Sequence, residues 1–225
     1  MMVCYIVAMP RQKKVVVLAS GGLDSAVLLG WALRRYTHVQ PLYCRFGLRW
    51  ERAEQHWLNK YLRAIRCAAL LPAVTLDVSV KSLYKDHWSV TGQKVPGYRS
   101  ADPSVYLPGR NALLLSHAAV YSARHQFNEI LLGTLSANPF PDATPFFLKA
   151  MARALTLGLG KPIRITAPFR RMTKNAVLRV SHGLPLHLTF SCLNPKGFRP
   201  CHACNKCAEF DRVFRLGLST SAAAG

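Results

Sequence analysis

The clearest pattern along the chain is an uninterrupted apolar run, Val15-Val16-Val17-Leu18-Ala19. It breaks at Ser20-Gly21-Gly22 and resumes at helical spacing with Leu23, Ala26, Val27 and Gly30. A continuous β-branched run suits a strand buried on both faces of a parallel sheet, and the spacing after it suits a helix laid against that sheet. The alternation continues. Residues 34–38 read as a polar turn, 39–44 as a second strand and 46–49 as a loop at its carboxyl end. Trp50, Ala53, Trp57, Tyr61, Leu62 and Ile65 predict a helix over 50–67, and 73–78 a third strand. Residues 81–104 have little periodicity and are rich in Ser, Lys, Gly, Pro and Asp, which leaves a long binding loop or disorder. Pro108-Gly109 turns the chain into an apolar helix over 112–125 with Asn111 suited to cap it. A fourth strand over 129–134, a proline-rich loop over 138–145, a helix over 146–157 and a fifth strand over 163–168 follow. Thr173 then reads as the N-cap of another helix. Strand–helix–strand order of this kind predicts an α/β fold, a parallel five-stranded sheet with helices on both faces and ligands beyond the carboxyl ends of the strands.

The first break in the pattern carries the chemistry. Two glycines allow a sharp strand-to-helix turn and a close backbone approach to a ligand. Asp24 and Ser25 fall in the first helical turn, where free N–H groups and the positive dipole end favour an anion. No lysine follows Gly22, so Ser20-Gly21-Gly22-Leu23-Asp24-Ser25 is not a Walker A loop. Two further positions point to an anion. Arg110 adjoins a helix N-terminus, where a guanidinium can clamp phosphate or carboxylate. Lys174 falls in a first helical turn, against the dipole, so an anionic ligand nearby competes with the plainer reading of an exposed lysine.

Composition narrows the class. Half of the 225 residues are apolar, which supports a sizeable core, and no apolar run reaches the length that spans a bilayer. Residues 1–10 are apolar but short and without a basic lead, so an early core strand or a disordered start is expected rather than a signal peptide. Thirty Lys and Arg against ten Asp and Glu give a formal charge of +20, which fits a polyanionic ligand such as ATP, RNA or DNA as well as it fits a solvated basic surface. Seven cysteines, an odd number without an export signal, argue for reduced thiols and a cytoplasmic location. Four of them, Cys192, Cys201, Cys204 and Cys207, form C-x8-C-x2-C-x2-C, a spacing that suits one tetrahedral Zn2+ better than an iron–sulfur cluster, with His202 a spare ligand inside the group. Cys4, Cys44 and Cys67 sit in apolar contexts and read as packing residues.

Together these stretches are the basis of a resemblance. Ser20 to Ser25, Phe46-Gly47-x-Arg49, Tyr106-Leu107-Pro108-Gly109-Arg110-Asn111, Met172-Thr173-Lys174 and Ser191-Cys192 with Cys201, Cys204 and Cys207 resemble, in order, the motifs of the 7-cyano-7-deazaguanine synthase family, often called QueC or ExsB, over about residues 15 to 215. That family belongs to the N-type ATP pyrophosphatases, the PP-loop superfamily. The resemblance implies an adenine nucleotide alpha hydrolase-like, Rossmann-like PP-loop domain over residues 1–180 and a C-terminal zinc-binding segment over 181–225 that packs on it. It implies an ATP-dependent C–N ligase of queuosine biosynthesis. With ATP, Mg2+ and ammonia, the carboxylate of 7-carboxy-7-deazaguanine would become an amide and then the nitrile of 7-cyano-7-deazaguanine. Ser20, Gly21, Gly22, Leu23, Asp24 and Ser25 would hold the nucleotide, Asp24 orienting the loop or a metal ion, Arg110 and Lys174 the phosphates, and the four cysteines a structural Zn2+. A homodimer is compatible with it; nucleic acid is compatible but not required, and no membrane is implied.

The chain departs from the family pattern on the substrate side. Tyr-Gly-Gln-Arg-His is replaced by Phe46-Gly47-Leu48-Arg49-Trp50, and of Pro-Asp-Cys-Arg only Pro141-Asp142 remains, with Thr144 in the arginine's place. Three alternatives follow: a paralogue that adenylates a different carboxylate, stops at the amide or passes deazaguanine to another amine; a tRNA-modifying PP-loop enzyme, suggested by the charge; and a zinc-containing nucleic-acid-binding module without catalysis.

Overall fold

The computed structural model describes residues 13–212, and the expectations for residues 1–10, Cys4 included, lie outside them. The apolar run forms β1 (Lys14–Leu18), and the helical pattern after the double glycine forms α1 (Leu23–Leu33). β2 (His38–Arg45), α2 (Glu51–Ala64) and β3 (Val74–Asp77) follow, then two single-turn helices, α3 (Lys81–Tyr84) and α4 (Trp88–Thr91). α5 (Arg110–Arg124), β4 (Glu129–Leu131), α6 (Pro145–Leu159), β5 (Arg164–Thr166) and α7 (Lys174–Arg179) complete the domain. Residues 205–212 are helical as well.

The strands pair in the order β3-β2-β1-β4-β5, every pair parallel. The two-residue period of a strand sorts β1 between two cores. Val15 and Val17 join Val39, Tyr43 and Leu131 under Ala26, Val27 and Val177 of α1 and α7. Val16 and Leu18 join Leu42, Cys44 and Ile130 under Leu115 and Ala118 of α5 and Leu148 of α6. Helices therefore cover both faces, as the element order predicts. Phe190, Cys192, Leu193, Cys204 and Cys207 belong to the second of these cores, so the cysteine segment shares apolar contacts with the sheet.

Several local expectations change. Residues 81–104 are not structureless: beside α3 and α4, Gly97 bridges Cys204, and Asn205 donates to the Ser100 carbonyl at 2.6 Å. α5 starts at Arg110 rather than 112, and its N-cap is Gly109, in the left-handed region at φ +73°. Asn111 is thus inside the first turn, and its own N–H is held at 3.0 Å by the Asp142 carboxylate from the proline-rich loop. That carboxylate supplies from a distance the cap that Gly109 lacks. Cys44 is buried as expected, but Cys67 is exposed, because α2 ends before it and the chain turns outward. No helix among the described residues is long and apolar enough to cross a membrane.

Candidate active site

Strands run outward on either side of the β1–β4 pair, which makes its carboxyl end the switch point where open α/β sheets bind ligands. Ser20 follows β1 and Gly133 follows β4 there, and both line a cavity of about 300 Å3. Its walls come from Ser20 and residues 22–25, with Gly21 turned against α2 instead, from Tyr43, Trp50, Glu51 and Glu54, from Arg110 and Asn111, and from Lys174, Cys192, Lys206 and Glu209. The cavity thus brings the sequence-selected loop, Arg110, Lys174 and one of the cysteines to one place.

The turn is knitted from within. Ser25 Oγ donates to the Gly22 carbonyl at 2.9 Å and accepts from the Ser20 N–H at 3.2 Å. The Ser25 hydroxyl proton is therefore engaged in the loop itself and is not free for a ligand. Gly21 takes φ +79°, and a Cβ there would stand 3.0 Å from the Glu54 carbonyl oxygen. Only glycine lets the loop lie this close to α2. Gly22 is the N-cap of α1 and has no side chain to occupy the first N–H groups, which leaves them for an anion.

Lys174 is the first residue of α7, capped by Thr173, whose Oγ1 accepts from the Ala176 N–H at 3.3 Å. Its ammonium lies 2.8 Å from both Asp24 oxygens and 2.8 Å from Glu209, and Glu209 in turn lies 2.6 Å from Lys206. The anion expected beside Lys174 is thus supplied by the protein, from α1 and from the cysteine segment. Arg110 differs: its Nε is buried with no hydrogen-bond partner, as is Thr134 Oγ1, and both residues line the cavity. Buried polar atoms without partners are costly, so these two point to a ligand that supplies them.

Sequence reasoning missed the floor. Glu51 accepts the Phe46 and Gly47 N–H groups at 2.6 and 2.8 Å and closes the loop after β2. Glu54 accepts from the Tyr43 hydroxyl at 3.0 Å. Burial pushes its carboxyl up to about 7, with Arg110 and the Tyr43 hydrogen bond pulling partly back. An acid whose carboxyl is raised by burial in a pocket is a common mark of a functional site. The available signal was Glu51 and Glu54 at i, i+3 spacing, on the face opposite the basic residues of α2.

The four sulfurs of Cys192, Cys201, Cys204 and Cys207 all lie within 4.8 Å of one another. Tetrahedral thiolate sites with zinc–sulfur bonds near 2.3 Å have sulfur–sulfur edges of about 3.8 Å, and the 201–207 and 204–207 separations are 3.9 and 3.5 Å. Backbone N–H groups of Leu193 and Cys201 point at Cys204 and Cys192 sulfurs at 3.3 and 3.2 Å, as thiolates prefer. The group can hold a metal ion, and His202 is not part of it.

Comparison with known proteins agrees with this geometry. The model of the queuosine biosynthesis protein QueC matches residues 14–216. The chain belongs to the QueC family. It is 31% identical to the 7-cyano-7-deazaguanine synthase 1 of Desulfitobacterium hafniense over 91% of this chain and 93% of that protein. It is 33% identical to the 7-cyano-7-deazaguanine synthase of Anaeromyxobacter sp., over 87% and 88%, and 32% identical to that of Thermoplasma acidophilum, over 88% and 85%. Within the QueC fold, the departures noted in the sequence change the cavity wall. Trp50 lines the cavity, buried and stacked on Trp88 at 5.8 Å, whereas Leu48 is buried in the core and does not line it. Thr144 caps α6 and does not line the cavity.

Proposed function

We propose that the chain converts 7-carboxy-7-deazaguanine to 7-cyano-7-deazaguanine with ATP and ammonia, a step of queuosine biosynthesis. The observation that carries the reading is the cavity at the β1–β4 switch point. In it the glycine turn, an arginine with an unpartnered buried Nε and the cysteine segment converge on a space of small-molecule size. The substrate carboxylate attacks the α-phosphorus of ATP and pyrophosphate leaves; ammonia displaces AMP and gives the amide. The amide oxygen attacks a second ATP, pyrophosphate leaves again, and loss of AMP and of both amide protons leaves the nitrile. The residues act on charge. The free N–H groups at the α1 N-terminus and the Arg110 guanidinium stabilise the negative charge that grows on the departing pyrophosphate. Lys174 neutralises phosphate charge once a nucleotide competes for it with Asp24 and Glu209. Asp24 has the donor type to hold Mg2+, which neutralises phosphate charge when bound. The four cysteines would hold Zn2+, and the division falls near 180, with a PP-loop domain before it and, after it, a cysteine segment that the ion would shape into one wall of the cavity. ATP consumption and free thiolates fit the cytoplasm.

The test is incubation of the purified chain with ATP, Mg2+, ammonium and 7-carboxy-7-deazaguanine, followed by mass spectrometry and AMP quantification. The nitrile with two equivalents of AMP is expected; no AMP and an unchanged base would refute the reading. The apolar Trp50 in the cavity wall favours a second reading, in which the acceptor is a different carboxylate or the reaction stops at the amide. A primary amide with one equivalent of AMP would select it.

A further inference from the structure

α2 separates its charges. Glu51 and Glu54 face the cavity, while Arg52, His56, Lys60 and Arg63 recur every three to four residues and form one stripe on the outer side. Among the described residues, no acidic partner lies within ion-pair distance of Arg52, Lys60 or Arg63. A turn of the cysteine segment reaches over this stripe. Lys196 and Arg199 exchange backbone hydrogen bonds at 3.0 and 3.1 Å, with Gly197 at φ +61° between them, and Phe198 projects from the tip. The turn is fixed to α2 by a 2.8 Å hydrogen bond from Trp57 Nε1 to the Phe198 carbonyl. Phe198 stacks on the His56 ring at 4.1 Å and 12°, and Arg52 lies 5.4 Å from the Phe198 ring centre. Lys60 sits 4.7 Å over Trp57. Phe198 nonetheless stays 36% exposed, and Lys196 and Arg199 flank it at the surface.

We propose that this face, Arg52, His56, Lys60 and Arg63 with Phe198 and Arg199, is a docking surface for single-stranded nucleic acid. A solvated basic face needs no aromatic ring among its cations. Here the cations alternate with rings, and Phe198 is held parallel to His56 in advance, an arrangement that can pair backbone phosphates with stacked bases. The complementary charge is that of a polyanion, and Phe198, stacked on His56 yet still 36% exposed, extends a ring pair onto which a flat partner can continue the stack. Double-stranded nucleic acid hides those faces, and a polyphosphate has none.

The full chain is titrated against a fluorescein-labelled twelve-nucleotide oligouridylate by fluorescence anisotropy over a range of salt. Saturable binding is expected. Replacing Arg52, Lys60, Arg63 and Arg199 by Gln should flatten the slope of log K against log salt by about 3. Phe198→Ala should weaken binding on the order of tenfold with an unchanged slope, and Phe198→Tyr should restore it. Replacing Arg124, Lys149, Arg153 and Arg179, which lie exposed on α5, α6 and α7, by Gln should leave the affinity within about twofold of wild type, because charge elsewhere is screened over a Debye length. Absence of saturable binding at low salt, equal weakening by the control set, or equal affinity for an abasic strand of the same length would overturn the proposal. Thermal melts of each variant establish that the surface, not the fold, was altered.

Discussion

Glu54 shows how one residue changes meaning once it is placed. In the sequence it is one of two acids on an amphipathic helix; in the fold it sits beneath the glycine turn with a Tyr43 hydroxyl as its partner. Its carboxyl is raised from 4.5 to about 7, so the folded state binds a proton that the unfolded chain has already released. Its contribution to stability is therefore present in full below pH 4.5 and is lost as pH rises through about 7. Chemical denaturation across this window should show Glu54→Gln gaining stability relative to wild type between those values and running parallel to it above. A constant offset would show that Glu54 is not raised. Arg110 is the opposite case, a guanidinium near Glu54 whose buried Nε has no hydrogen-bond partner. Arg110→Met should cut kcat/KM by about 100-fold, as loss of one preorganised charge-stabilising donor does, with the melting temperature held or raised because a buried orphan atom has gone. Steady-state kinetics and a thermal melt measure both.

The elements are joined by side chains that cross between them. α5 begins at a glycine, and its first turn is held by Asp142 from the loop before α6. Asp142→Ala should destabilise the chain by about 1–2 kcal/mol, the usual range for losing a helix cap, and urea titration measures it. The same change should disturb Arg110, which occupies that turn. α1, α7 and the cysteine segment meet in the chain Asp24–Lys174–Glu209–Lys206. A double-mutant cycle with Lys174→Met and Glu209→Gln should give a coupling of about 1 kcal/mol; additive effects would show that the contact is idle. These links explain why short elements such as α3 and α4 were not visible in the pattern of residues 81–104. Each is a single turn whose stability comes from partners such as Trp50, stacked on Trp88, rather than from its own periodicity.

At the scale of the whole molecule, the cysteine segment and the sheet share one core, because Cys192, Cys204 and Cys207 lie among the residues that cover Val16 and Ile130. Metal removal should therefore lower the stability of the entire chain. Calorimetry before and after treatment with a zinc chelator, and on Cys204→Ser, is expected to show one cooperative transition moved to lower temperature. A second transition, with the main one unmoved, would mean that residues 181–225 unfold on their own. The charge of +20 belongs to this scale too, since only four Lys or Arg residues pair with acids among the described residues, Arg45, Arg164, Lys174 and Lys206.

The sequence by itself determined the parallel sheet, the glycine turn at the end of β1 and the spacing of the four cysteines. Each is written in neighbouring residues: a β-branched run, two glycines between a strand and a helix, thiols a turn apart. What joins distant positions was decided only by the tertiary structure. It set the acid at position 54 under Gly21, gave Asp142 the cap assigned to Asn111 and left Cys67 outside the core. It also placed Glu209 on Lys174 and Phe198 over the basic side of α2. Burial and pairing depend on which surfaces the sheet brings face to face, and no local pattern encodes that.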